Sequence, residues 1–307
     1  MNCDIAKLQN DDEFIDLLAA ASWFYGSAKA VLGVQLALAV GVALVSSVVL
    51  WLEPGAKQWT TFAAVTVALL DAFWLERKQG RLRKLGALAQ EKFDRLLFGL
   101  PWNDLRAGSS PETEQLHRAA VRYKRSLKSL AHLREWYPAI VGSAPPSSAT
   151  LICQRAATRW DSAQRRTYAG WLLVLLTALF VMVFSIALAQ GLTVASMIMN
   201  VYVPVAPAAL WCIRDYFRQR DAADALDNLK VHIETVWTES LTGKLDEGNL
   251  PSETDRIQDA LFDHRSRSPL LFNWIYKLQK AENEEAMKVK ATELVTELGH
   301  ARKETHP

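Results

Sequence analysis

The chain has 307 residues, half of them apolar and 22% charged, with a formal net charge of +2. Such averages would pass for a large soluble protein, but they conceal a segregation, because four stretches are nearly free of charge and the charges crowd between them. Cys3, Cys153 and Cys212 are scattered and odd in number, which excludes a disulfide framework and a zinc spacing and fits a reducing cytoplasm.

Residues 1–29 are acidic, with Asp4, Asp11, Asp12, Glu13 and Asp16, and have no basic n-region, so no cleavable signal peptide is expected. Residues 5–28 read as a helix with a partial apolar stripe at Ile5, Leu8, Ile15, Leu18 and Phe24. An uncharged run, 30–52, follows; Glu53-Pro54-Gly55 turns the chain, and 58–75 returns with one acid, Asp71. The first membrane hairpin is therefore 30–75.

The region 76–168 reads as cytoplasmic helices. The second span continues through Phe98, with Leu82, Leu85, Leu88 or Ala89, Leu96 and Leu97 at helical spacing. A new helix opens at Ser110-Pro111 and carries a stripe of Leu116, Ala120, Tyr123, Leu127, Leu130 and Tyr137 up to Pro138. A loop holds Pro145-Pro146-Ser147-Ser148, and from Thr150 a helix leads without interruption into the third span.

Residues 169–213 contain no Asp, Glu, Lys or Arg over 45 positions. A crossing needs about 20 residues, so the run is a second hairpin, 169–190 and 192–213, turning at Gly191. Residues 214–307 return to the cytoplasm as a helix closed by Gly243, a short helix from Leu250 to about Asp263, an interruption at Arg265–Pro269, and a final helix to about Leu298 with a frayed tail. The fold class is an all-α integral membrane protein, with four transmembrane helices in two hairpins and a cytoplasmic bundle formed largely by extensions of the spans.

Orientation follows from the cations flanking the spans. Between 76 and 168 there are 18 basic and 8 acidic residues, whereas the opposite side has only Glu53 and Lys57. Both termini and the long middle region are expected inside, in a multi-pass membrane protein. Trp23, Trp74, Trp171 and Trp211 would mark the inner headgroup level, and Trp51 and Trp59 the outer.

No phosphate loop, nucleophile elbow or paired histidine ligand is visible, so neither enzymatic catalysis nor a metal site is expected. Asp71 reads as a gate charge or as one half of an ion pair with Lys29. Asn200, Pro204 and Pro207 read as a hinge, as the lining of a wet path, or as an ordinary kink. Arg118, Arg122, Lys124, Arg125 and Lys128, with Arg155, Arg159 and Trp160, fit a phosphate-rich ligand whose bases stack on Trp or Tyr; the competing reading is topology and anionic lipid.

Certain local sequences point further: Phe93-Asp94-Arg95-Leu96-Leu97-Phe98-Gly99-Leu100-Pro101-Trp102-Asn103, Glu135-Trp136-Tyr137-Pro138, and Leu151-Ile152-Cys153-Gln154-Arg155 before Trp160-Asp161 and Arg165-Arg166. With Ile257-Gln258 to Arg265 and Pro269 to Tyr276, the chain resembles the SMODS-associating four-TM effector family. The resemblance implies an effector of a bacterial anti-phage system of the CBASS kind, encoded beside a cGAS/DncV-like nucleotidyltransferase, whose cyclic oligonucleotide triggers damage to the inner membrane. It adds Trp102 and Tyr137 to the candidate ligand residues, although both positions also end helices. The expected partners are the bilayer, a cyclic di- or trinucleotide as activating ligand and further copies of the chain, with no cofactor and no DNA or RNA. A membrane-anchored scaffold that dimerises and recruits a partner is the alternative.

Overall fold

The computed structural model describes residues 5–53, 55, 57–126, 129–189, 191, 193–198, 203–246 and 248–305. Every regular element among them is helical: α1 (Ile5–Leu8), α2 (Asp12–Leu52), α3 (Lys57–Leu70), α4 (Glu76–Phe98), α5 (Asp104–Ala107), α6 (Thr113–Arg125), α7 (Pro146–Ala189), α8 (Val194–Met197), α9 (Val203–Leu241), α10 (Leu250–Arg267) and α11 (Asn273–Thr305). Between α3 and α4 the helix widens at Asp71–Leu75, where the Glu76 N–H donates to the Asp71 carbonyl five residues back. This is a π-bulge, an inserted residue that re-aims side chains on either side of it.

The chain forms two compact units. The first comprises residues 1–26, 82–165 and 222–307; the second comprises 27–81 and 166–221. Helices α2, α7 and α9 each contribute residues to both units.

The first unit has a continuous apolar core. On α4, Phe93 and Leu97 are fully buried, and they share it with Leu151 and Ile152 of α7, Leu226 and Ile233 of α9, and Ile257 and Leu261 of α10. Removing each such side chain from water is worth about 1.5–3 kcal/mol, which makes this core the main support of the unit. Leu96, expected in the same stripe, is 46% exposed.

The second unit presents apolar side chains outward. Phe62 is 66% exposed, Phe73 67% and Leu188 65%. Among the described residues three stretches are long and apolar enough to cross a membrane: Asp12–Leu38, Gln58–Phe98 and Pro146–Met182. A continuous apolar surface on long helices is the surface lipid requires, since hydrocarbon reverses the usual preference for polar outer faces. The fourth expected span, 192–213, includes residues 192 and 199–202, which lie outside the described set.

Several local expectations are corrected. The first helix breaks at residues 9–11, where the buried Gln9 side chain leaves the helical path: its Nε2 donates to the Tyr137 carbonyl, and its Oε1 accepts from the Tyr137 N–H. Helix α6 ends at Arg125 rather than running to Pro138, so Leu130 and Tyr137 belong to an irregular segment with two short 3₁₀ turns. Leu127 and Lys128 lie outside the described residues. Pro146 opens α7 instead of belonging to a loop, as proline can at a first helical position. Helix α10 reaches Arg267, and α11 continues to Thr305 through the stretch expected to fray. Gly243, at φ +69, follows the end of α9 as expected.

Candidate functional site

A cleft of about 300 Å³ opens in the first unit between α7, α9 and α11. Leu151, Ile152 and Arg155 reach it from α7 because positions 1, 2 and 5 of a helical stretch share a face. The same spacing brings Ile233, Glu234, Trp237 and Thr238 from α9, and Lys290, Leu294 and Glu297 from α11. Leu151, Ile152 and Ile233 are buried and form an apolar floor, while the polar groups form the rim.

The rim charges are paired. Arg155 donates from Nε at 2.9 Å and from Nη2 at 2.7 Å, both to Oε1 of Glu234. Lys290 donates to Glu293 at 2.6 Å, and the Trp237 indole N–H to Glu297 at 3.1 Å. An arriving anion therefore meets a guanidinium already bound to a carboxylate.

Of the residues expected to contact a ligand, Arg155 alone lines this cleft. Arg159 is exposed one turn further along α7, and beside it Trp160 packs on Tyr276 with ring centres 6.0 Å apart. Arg122 and Arg125 are exposed on α6. The Trp102 indole donates to the Gly108 carbonyl at 2.8 Å, and its ring packs against a small cluster that includes Leu88 and Phe262. Tyr137 is buried, and its hydroxyl donates to Asp94 at 2.8 Å.

In the second unit, Gln35 Nε2 donates to Asp71 Oδ1 at 2.6 Å, a polar contact at the π-bulge that the sequence did not suggest. Lys29 is half-buried on α2. Pro204 and Pro207 lie on α9, and Asn200 lies outside the described residues.

The Asp94-Arg95, Asn103, Tyr137, Gln154 and Gln258–Arg265 segments converge in a buried polar network. Arg95, 2% exposed, donates to Glu91 at 2.6 Å, to Asp255 at 2.7 Å and to Asp259 at 2.5 Å, and also bonds the Pro101 carbonyl. Asn103 donates to the other oxygen of Asp259 at 2.7 Å. Arg265 donates to Asp94 at 2.5 Å, and Gln258 bridges Glu91 and Asp94. Gln154 of α7 joins through Gln258 and the Thr254 carbonyl. Nearby, Asp161 faces Arg165 at 3.1 Å and His264 at 3.3 Å, while Arg165 also donates to the Pro269 carbonyl at 3.0 Å.

The network holds two guanidinium groups, of Arg95 and Arg265, against four carboxyls, of Glu91, Asp94, Asp255 and Asp259. Negative charge is in surplus, and burial together with the neighbouring Asp94 pushes Glu91 up to about 7, against the Gln258 hydrogen bond and the two arginines. Burial and Asp94 also push the Tyr137 phenol well above its ordinary value, keeping it a donor. Asp161 goes the other way: although burial raises it, the Arg165 guanidinium and His264 hold it well below the usual carboxylate range.

The model of the SMODS-associating 4TM effector domain matches residues 3–294. The chain belongs to that family. A Bacillus cereus (strain VD146) protein named a probable CBASS effector molecule is 24% identical over 290 residues, 91% of this chain and 94% of the relative. No solved structure matches significantly.

For this SMODS-associating effector, the short sequences that carry the resemblance are mostly the buried network and its supports, and Leu151, Ile152 and Arg155 are the residues they contribute to the cleft. Sequence reading missed Glu234, Trp237 and Glu297. Their signal was present as helical spacing, but nothing in the sequence distinguishes these positions from an ordinary amphipathic face. Among the described residues no group of three or more His, Cys, Asp or Glu is placed to hold a metal ion.

Proposed function

We propose that the protein is a membrane effector of a bacterial anti-phage system, triggered by a cyclic oligonucleotide and disrupting the inner membrane by oligomerising or opening a pore. Membership of the SMODS-associating effector family carries this reading. The name of the Bacillus cereus relative and the outward apolar surface of the second unit support it. In this reading four helices cross the bilayer as two hairpins, both termini are cytoplasmic, and the first unit is the cytoplasmic bundle. The protein needs no cofactor and catalyses no reaction of its own; the signal comes from a cGAS/DncV-like nucleotidyltransferase.

Arg155 and Arg159 are the ligand contacts, since a guanidinium binds phosphate bidentately. Binding in the first unit acts on the second through helices shared by both. The scaffold alternative has one observation in its favour, the exposed Trp274, Leu278 and Val289 on α11. The test is dye leakage from liposomes carrying the purified protein, with cyclic di- and trinucleotides added on the cytoplasmic face. Leakage with one nucleotide, abolished in Arg155→Glu and Arg159→Glu variants that still insert, is expected. Silence across the panel, or in all cases an unaltered response in both variants, would overturn the trigger or the site respectively.

A further inference from the structure

The cleft between α7, α9 and α11 combines three features of a ligand site. It has an apolar floor, an aromatic side chain at Trp237, and cationic groups on the rim at Arg155 and Lys290. Its volume of about 300 Å³ is at the small end for ligand clefts, of a size for one phosphate and one flat apolar group. What sets it apart is the arrangement around Arg155. Both guanidinium bonds converge on a single oxygen, Oε1 of Glu234, and Nη1 makes no hydrogen bond among the described residues. A fork built to hold a planar anion through two of its oxygens is thus held by one.

The two partners also differ in burial. The Arg155 side chain is 16% exposed and that of Glu234 is 42% exposed. Glu234 can therefore swing into solvent and recover its hydration, while Arg155 stays at the cleft wall, framed by Leu151 and Ile152 one turn before it. The cost of separating a half-exposed pair is small, and a phosphate offers Arg155 more charge and a better-matched pair of oxygens.

We infer that Glu234 is an internal stand-in for a ligand phosphate: at rest its carboxylate occupies Arg155, and a phosphate-bearing ligand entering the cleft takes its place and breaks this one ion pair between α7 and α9. This rests on the effector reading only for the identity of the anion. The exchange makes and breaks no covalent bond. Its regulatory content is competition: Glu234 lowers the affinity for the anion and sets the concentration at which the cleft fills. Glu234 lies on the same helix that begins at Val203 in the second unit, so the released contact is one that the helix carries at its far end.

The test uses the full-length protein in lipid nanodiscs, as wild type, Glu234→Gln, Arg155→Gln and the double variant. Two probes are titrated: inorganic pyrophosphate, and a panel of cyclic di-AMP, cyclic di-GMP and cyclic tri-AMP. Glutamine is isosteric with glutamate and leaves a shorter, neutral polar side chain in place of Arg155, and helix content by circular dichroism checks folding. Removing the competing carboxylate should tighten pyrophosphate binding about fivefold, the equivalent of one partly exposed ion pair. Arg155→Gln should weaken it about tenfold or more, and in the double variant the Glu234 effect should vanish, because nothing remains to compete for. Equal affinity of wild type and Glu234→Gln, or a Glu234 effect that persists without Arg155, would overturn the exchange. If the pyrophosphate pattern appears but no cyclic nucleotide binds, the exchange stands and the nucleotide trigger falls. If a nucleotide binds and Glu234→Gln changes nothing, the trigger stands and the exchange falls.

Discussion

Glu91 is the point at which the buried network should declare itself as a function of pH. Its carboxyl is 1% exposed, with Asp94, Arg265 and Arg95 as charged neighbours, and its acidity is displaced from the ordinary 4.5 to about 7. A carboxyl raised in the folded state binds its proton more tightly there than in the unfolded chain. Its contribution is therefore fully present below about pH 4.5 and is lost as pH rises through about 7. At about 1.4 kcal/mol for each tenfold change in proton affinity, the displacement amounts to roughly 3 kcal/mol across that window. Glu91→Gln mimics the protonated side chain and removes the titration. Arg95 then retains Asp255, Asp259 and the Pro101 carbonyl, so the variant does not strand a buried cation. Thermal unfolding of the detergent-solubilised protein, followed through tryptophan fluorescence from pH 5 to 8, should show wild type losing stability relative to the variant as pH rises. Parallel curves would refute the argument. So would a variant that is destabilised by the same amount at every pH, because that would mean Glu91 acts as a permanently ionised partner of Arg95.

Tyr137→Phe keeps the buried ring but removes a hydrogen bond to a carboxylate, and should cost about 1.5–3 kcal/mol in equilibrium unfolding, with Asp94 still held by Arg265 and Gln258. A variant as stable as wild type would mean that water replaces the phenol at Asp94. Gly86→Ala would set a methyl group 3.0 Å from Cγ and Cδ1 of the Tyr25 ring, so α4 and α2 must part locally; a loss of about 1–3 kcal/mol is expected, and Gly86→Ala with unchanged melting would show that Tyr25 turns aside freely.

The motifs that carry the family resemblance fall largely on groups that hold the first unit together. Asp94 and Arg95 are adjacent in sequence yet serve different partners, Arg265 on one side and Asp255 with Asp259 on the other. Such groups are costly to bury singly and stable only when every one is paired. A buried ionic network of this kind tolerates little substitution at any member. Tyr137 fits the same logic: its backbone is bonded twice by Gln9 and its hydroxyl once by Asp94, and the ring is enclosed.

Much of the helical content was legible in the sequence, because apolar periodicity and capping residues act over one or two turns. The end of α4 at Phe98, the end of α9 before Gly243 and the uninterrupted passage of α7 into its apolar half all follow from such local signals. The nearly charge-free stretches were legible as candidate spans for the same reason, since a bilayer counts residues rather than contacts, and three qualify among the described residues. Where local signals conflicted, the tertiary structure decided. The stripe from Leu116 to Tyr137 has helical spacing throughout, yet α6 stops at Arg125. Burying Tyr137 against Gln9 and Asp94 outweighs continuing a helix there, and those partners are 128 and 43 residues away in sequence. The pairing of Arg155 with Glu234 spans 79 residues and that of Arg265 with Asp94 spans 171. Helical periodicity fixes which face a charge occupies, but the choice between solvent, a ligand and a buried counter-charge depends on which other helix meets that face, and that is a property of packing alone.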